Sequence, residues 1–414
     1  MMNYDVCIIG AGASGLCAAV KLKTENPQLS VVILERLARV GKKLSTTGNG
    51  RCNISNRKLS IQNYHGTDCG FAEFALNKYN GEAAAGFFEK IGVPFVFEGD
   101  KAYPASYQAS SVVDALRFAA EEAGVEILTQ TRVTDIKPQK SVYKIICENT
   151  EVFSKTLLVC SGLYSGGEKL GCSGDVPAIL KRLGLASVKA TPAIVQLKTE
   201  TDTVRKLKGI KIDALCTLCA DGKFVRSDFG EVLFCDYGLS GPPILQISRN
   251  ASRLEGKITV KLDIYPNKSR EELEKTLQER KENLKERTLD EFFTGMLNKR
   301  LGQTLLKLCG VNLSQKTDSI NKNTIQRLCE YLKCFEFKIT GNMGFINSQV
   351  TAGGISTDEF YCENMMSKKY KGLFASGEIL DIDGDCGGFN LQWAWSSGMC
   401  AANGISKWLS GDKR

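Results

Sequence analysis

Histidine is almost missing from this 414-residue chain: His65, in a polar loop, is the single one. That scarcity removes the imidazole of a Ser/His/Asp or Cys/His nucleophile and of most zinc sites, and no other metal-ligating constellation emerges. No apolar run reaches the roughly 18 residues needed to span a bilayer. The opening residues read as a strand rather than as a basic, then apolar, cleavable leader, so the expected location is the cytoplasm. The 9 prolines gather in no linker, and there is no internal repeat or low-complexity tract. A single-sign basic stripe is missing too. The net charge of +8 is spread, and between Lys268 and Lys299 Glu and Lys/Arg interleave as on solvated helix faces. Nucleic acid is therefore not an expected partner, whereas a mildly positive field would draw in an anionic substrate or NAD(P)H. Cysteine, by contrast, is plentiful. Its 16 copies are scattered through apparent strands and helices with no export signal, which predicts reduced thiols. Cys216-x-x-Cys219 has no second pair or histidine at metal spacing and reads as core packing.

What is present is concentrated in the first 35 residues. Tyr4-Asp5-Val6-Cys7-Ile8-Ile9 runs into Gly10-Ala11-Gly12-Ala13-Ser14-Gly15, and Val31-Val32-Ile33-Leu34 ends at Glu35 followed by Arg36. This order predicts a strand, a G-x-G-x-x-G turn, a helix and a second strand. Gly10 makes the tight turn, Gly12 admits a pyrophosphate, and Gly15 lets the helix pack on the sheet. Ala13 and Ser14 open the helix, whose free N–H groups and partial positive charge face the phosphates. Glu35, 20 residues beyond Gly15, is spaced to accept hydrogen bonds from both adenosine ribose hydroxyls and to repel a 2′-phosphate. The chain is expected to bind FAD or NAD.

At about 100–200 residues per domain, two or three domains are expected. Helical patterns run from Gly70 to Ile91 and from Ser110 to Ala123. Strands follow at Val125–Leu128 and Thr131–Ile136, and Thr156–Cys160 reads as a buried parallel strand ending at Ser161-Gly162. The character changes near Pro192. Short apolar strands and turns continue to about Tyr265, then amphipathic helical runs at Glu271–Leu284, Leu289–Leu308 and Thr324–Phe335. Nucleotide-fold character returns at Gly372–Glu378. The predicted class is α/β: a Rossmann-like domain of residues 1–190 and 340–414, a β-rich substrate module of 191–267 with 336–339, and a helical module of 268–335.

Four segments carry a family resemblance: Gly41–Asn53 (GKKLSTTGNGRCN), Gly238–Pro242 (GLSGP), Val350–Ile355 (VTAGGI) and Gly377–Gly384 (GEILDIDG), the last continuing as Gly387–Ala394 (GGFNLQWA). Together they resemble the BaiN-like flavoproteins, a group that includes bile-acid enone reductases and aminoacetone oxidases. One departure stands before Gly238, where relatives often carry Thr-His and this chain has Cys235-Asp236-Tyr237.

The resemblance selects FAD over NAD and implies its residues. Val133, after Arg132, would meet adenine through its backbone, and Gly162 would let its loop approach the cofactor. Lys42, Lys43 and Arg51 would counter the pyrophosphate or position the flavin loop formed with Gly48, Gly50, Cys52 and Asn53. Gly377, Glu378 and Asp381 would hold the ribityl chain or pyrophosphate. Gly387 and Gly388 would pass beside the isoalloxazine, and Asn390 and Leu391 would begin a last helix aimed at the edge of the flavin where reduction builds up negative charge. No second G-x-G-x-x-G follows a strand, so NAD(P)H would dock only transiently. The implied reaction is NAD(P)H-driven reduction of a conjugated C=C bond in a small apolar 3-oxo steroid or bile-acid intermediate. Tyr103, Tyr107, Tyr164 and Tyr237 are candidate proton or hydrogen-bond donors, and Tyr237 is taken as catalytic. An O₂-using amine or aminoketone oxidase and a non-enzymatic FAD-containing binding protein are the alternatives.

Overall fold

The computed structural model describes residues 2–411, which fall into two compact units, 2–192 with 348–411 and 193–347. The first unit is built on a sheet ordered Glu126–Leu128, Val31–Leu34, Met2–Ile9, Glu151–Val159, Tyr143–Cys147, Val133–Pro138, with Leu373–Ala375 also pairing Glu151–Val159. The pairings from Glu126–Leu128 through Glu151–Val159 and on to Leu373–Ala375 are parallel. Such strands are covered on both faces, which is why Val6, Cys7, Ile8 and Ile9 are all buried without alternation.

Register brings four strand ends level. Ile9 stands opposite both Leu34 and Val159, and Val159 opposite Ala375. The next residues continue the ladder: Gly10 N–H donates to the Leu34 carbonyl at 2.9 Å, Cys160 to Ile9 at 2.8 Å and Ser376 to Val159 at 3.0 Å. Because the chain leaves Met2–Ile9 toward one neighbour and returns on the other side, a crevice opens at these carboxyl ends, where α/β folds bind ligands.

Helix Ala13–Glu25 is wedged between this sheet and the last helix, Phe389–Leu409. Their crossing is close: a Cβ on Gly398 would lie 2.8 Å from the Ser14 carbonyl oxygen. Trp393 and Trp395 fill the space below, their indoles donating to the carbonyls of Gly377 at 3.2 Å and Ile54 at 3.0 Å. The last helix thereby fixes both the end of Leu373–Ala375 and the strand after Asn53.

The pattern from Gly70 to Ile91 is not one helix. Glu73–Lys78 stops at Tyr79, and Asn80 caps Gly81–Lys90 by accepting N–H bonds from Glu82 and Ala83. The Tyr79 carbonyl freed by the break accepts from Gln392 Nε2 at 3.0 Å and Ser396 Oγ at 2.6 Å, so tertiary contacts outweigh helical continuity.

In the second unit, Leu197–Thr199, Gly238–Ser240, Lys223–Phe234, Lys211–Ala220, Ile258–Asp263 and Phe335–Asn342 close a barrel. The sequence divides its β-rich and helical residues into two modules, yet helices Arg270–Asn283, Lys299–Leu308 and Lys322–Lys333 share one buried core with the strands. The run Leu289–Leu308 is helical in its α-form only from Lys299, because Asn298 caps there by accepting the Arg300 N–H. Phe335 opens the next strand rather than ending a helix. Among the described residues no helix is long and apolar enough to cross a membrane. Among the described residues the cysteines form no disulfide, and burial pushes the Cys216 thiol up to about 12.

Candidate cofactor site

The glycine turn at the end of the first strand is shaped by contact on two sides and openness on the third. A Cβ on Gly10 would lie 2.7 Å from the Cys160 carbonyl oxygen, and one on Gly15 only 2.0 Å from that of Gly10. Around a Cβ on Gly12 nothing lies within 4 Å. No side chain caps the helix that starts at Ala13, so its first N–H groups and positive end remain directed at that opening. A turn that is tight where protein meets protein and open at the helix mouth is what a pyrophosphate requires.

Just past Val31–Leu34, Glu35 is buried, with Oε2 accepting from Ala11 N at 3.0 Å and Oε1 from Leu37 N at 2.8 Å. Burial pushes its carboxyl up, while these N–H groups and Arg36 oppose the shift. Each oxygen keeps a lone pair for a ribose hydroxyl. Thr131 N–H bonds the Glu35 carbonyl at 2.8 Å, which places Arg132 and the buried Val133 alongside. Asp175 joins the two arginines, 2.8 Å from Arg132 Nε and 3.4 Å from Arg36. No sequence spacing announces this link.

Between Leu44 and Asn53 the backbone turns repeatedly, with Gly48, Asn49, Gly50 and Cys52 all at positive φ. Lys42 is exposed, and Lys43 Nζ meets Glu378 Oε2 at 2.5 Å. Arg51 is committed elsewhere than the sequence suggests: it pairs with Glu98 at 2.5 Å and stacks 4.3 Å from the ring centroid of Tyr103 and 5.2 Å from that of Tyr107. Cys52 is buried, which pushes its thiol up to about 12, far from thiolate chemistry at neutral pH.

The end of Leu373–Ala375 supplies Gly377, Glu378 and Asp381. Glu378 Oε1 accepts from Thr351 N at 2.7 Å, which brings the VTAGGI segment to the same place, and its Oε2 is 3.5 Å from a Cβ built on Gly162. Asp381 is 1% exposed and accepts from Thr67 N at 2.8 Å through Oδ2. A Cβ on Gly388 would lie 2.4 Å from the Ser55 carbonyl oxygen and 2.7 Å from Asn53 Oδ1, so the turn before the last helix is pressed against residues 53–55. Asn56 holds it by donating to the Gly387 carbonyl at 2.8 Å. The last helix starts at Phe389, two residues before Leu391, and carries no side-chain cap. Asn390 closes the preceding loop onto both backbone groups of Gly384 at 2.8 Å.

His65, read as a bland loop residue, pairs through Nε2 with Asp385 Oδ1 at 2.7 Å, on a strand that bonds Asp383–Gly384. Asn56 and His65 are the contributors that sequence reasoning missed; the recurrence of Asn three residues after Asn53 was the available signal. Tyr237 lies in the second unit, at the turn between Lys223–Phe234 and Gly238–Ser240. Burial and a hydrogen bond with Cys235 raise its phenol well above the usual value, while Ser240 opposes.

FAD fits these residues. Asn53 Oδ1 and Asp381 Oδ1 are buried acceptors with no hydrogen-bond partner in the protein, an unfavourable state that ligand N–H or O–H donors relieve. The open Gly12 turn, two uncapped helix starts and Glu35 would supply the remaining contacts. Such a site, at the joined ends of four parallel strands, defines a protein of the Rossmann class.

The chain belongs to the family described as the HI0933-like protein Rossmann domain, which matches residues 4–404. It is 32% identical to the 3-dehydro-bile acid delta(4,6)-reductase of Clostridium scindens over 97% of this chain and 98% of the other, in keeping with the resemblance carried by its motifs. It is 28% identical to the ribosomal RNA dihydrouridine synthase of Haemophilus influenzae, over 97% of this chain and 98% of the relative. A solved structure of Escherichia coli quinol fumarate reductase shares the fold, with a TM-score of 0.52 at 13% identity over 100% of this chain and 72% of that one. The relatives support an enzyme, an oxidoreductase of FAD type.

Proposed function

We propose that the protein reduces a C=C bond conjugated to a carbonyl, with FAD as resident cofactor, NAD(P)H as transient electron donor and a 3-oxo steroid or bile-acid intermediate as substrate. The observation that carries this reading is the 32% identity to a 3-dehydro-bile acid delta(4,6)-reductase along essentially the whole of both chains. When bound, FAD supplies hydride transfer. The Gly12 turn and the first helix would hold its pyrophosphate, Glu35 its ribose, Asn53 and Asp381 its remaining donors, and the uncapped start of Phe389–Leu409 would favour negative charge on the ring. In the net reaction a hydride adds to the carbon β to the carbonyl and a proton to the α carbon, with NAD(P)H oxidised to NAD(P)⁺.

A second substrate has specific support. Ribosomal RNA dihydrouridine synthases from Haemophilus influenzae and Escherichia coli match 97% and 98% of this chain at 28% and 26% identity. The C5=C6 bond of uracil is also conjugated to a carbonyl, so the same hydride-and-proton addition serves a base in RNA, against the expectation from charge pattern that nucleic acid is not a partner.

Photoreduced holoenzyme mixed without oxygen distinguishes the readings. Reoxidation by a 3-oxo-Δ4 steroid supports the first and reoxidation by uridine in ribosomal RNA the second, while bleaching of oxidised enzyme by an aminoketone contradicts both. In the proposal Tyr237 donates a hydrogen bond to the developing enolate. Tyr237→Phe is then expected to slow the oxidative half-reaction about 10²–10³-fold with FAD affinity intact; an unchanged rate in stopped flow removes Tyr237 from the chemistry.

A further inference from the structure

Lys43 and Glu378 are 335 residues apart in sequence and 2.5 Å apart in space, with 26% and 20% of their side chains exposed. Both are fastened to the glycine turn. Gly41, two residues before Lys43, donates its N–H to the Ala11 carbonyl at 2.8 Å, and Gly377, next to Glu378, would place a Cβ 2.7 Å from Ser14 Oγ. Glu378 is further locked by the Thr351 N–H and faces Gly162 at the end of the neighbouring strand. A carboxylate is thus fixed beside a turn shaped for a dianion. Alone it would repel the ligand that the turn and the helix end attract.

We propose that Lys43 is a charge-balancing residue of the cofactor site, whose ammonium neutralises Glu378 so that this carboxylate and a pyrophosphate can share one crevice. The proposal rests on the FAD reading. Burial pulls the Lys43 ammonium down, but Glu378 more than offsets it and the group stays charged. The pair therefore contributes no net charge to the crevice. Lys43 acts through Glu378, which leaves the carboxylate free to accept from cofactor hydroxyls without an electrostatic penalty on the phosphates.

The full chain stripped of flavin is titrated with FAD and, separately, with uncharged adenosine. Lys43→Met is expected to weaken FAD about 10–100-fold, as one unpaired like charge near a dianion does in a largely buried site, and to leave adenosine unchanged. Lys43→Met combined with Glu378→Gln is expected to recover FAD binding to within about threefold of wild type, because contacting residues couple rather than add. Lys43→Arg, which keeps the charge, should bind FAD normally and guards against a folding defect in the methionine variant. A double variant as weak as Lys43→Met overturns the proposal, since Lys43 would then serve the ligand directly. Equal losses of FAD and adenosine overturn it as well, marking the pair as scaffold only. A wild-type chain that binds no FAD overturns the cofactor reading itself.

Discussion

The two units use half-buried ion pairs to different ends. In the first, Lys43–Glu378 and Arg36–Asp175 stand beside the carboxyl ends of parallel strands. In the second, Lys333–Asp263 ties a helix to a barrel strand, and Lys333 also donates to the carbonyls of Tyr265 and Lys268. The same chemistry ties a helix to a strand in one place and stands at the ends of parallel strands in the other. What differs is the surroundings: the first unit surrounds its charges with glycines and uncapped helix starts, whereas the second closes around Phe337, whose ring centroid lies 5.9 Å from that of Phe234 and 4.5 Å from that of Phe335.

The comparison breaks first at Gly15. Helix propensity alone makes Gly→Ala stabilising by about 1 kcal/mol. The backbone oxygen 2.0 Å from the new Cβ reverses the sign, and Gly15→Ala is expected to cost more than about 4 kcal/mol or to prevent folding, measured by denaturant unfolding. A more stable protein would mean that the turn is not packed as described. In the second unit, Leu262→Ala removes a fully buried barrel side chain and should cost about 2–5 kcal/mol while leaving FAD affinity unchanged. Loss of FAD in that variant would blur the division between the units.

The smallest expected effect is a pH dependence at Asp175. A hydrogen bond from Arg132, helped by Ser173 and Arg36 against partial burial, holds its carboxyl below the ordinary value of 3.8. A depressed carboxyl contributes stability above its unfolded value and loses it as the pH falls through its folded one. The advantage of wild type over Asp175→Asn should therefore be full near neutrality and vanish on acidification below 3.8. An advantage that grows in acid would show that Asp175 is not paired as described.

Much of the first unit was legible because its signals are local. The turn from Gly10 to Gly15, the acid at Glu35 and the last helix are set by neighbours in sequence, and the helix start was misplaced by only two residues at Phe389. Where partners are distant, sequence was blind. Lys43 and Arg51 look alike as basic residues of one loop, yet one meets Glu378 and the other Glu98 and two tyrosine rings. The break at Tyr79 depends on Gln392 and Ser396 receiving its carbonyl, a contact across more than 300 residues. The shared core of barrel and helices was invisible for the same reason, since periodicity shows that a face is buried but not against what.

The central claim, that the carboxyl ends of the first unit's strands bind FAD, is tested most directly by Gly12→Val. A valine there has open space around its Cβ and an ordinary backbone conformation, so the protein itself should tolerate it with a loss of about 1 kcal/mol at the helix start. Its side chain would fill the opening that faces the helix end. Flavin content of purified protein, read by absorbance alongside a melting curve, should be stoichiometric for wild type and near zero for a folded Gly12→Val chain. Stoichiometric FAD held by that variant at wild-type affinity would contradict the site.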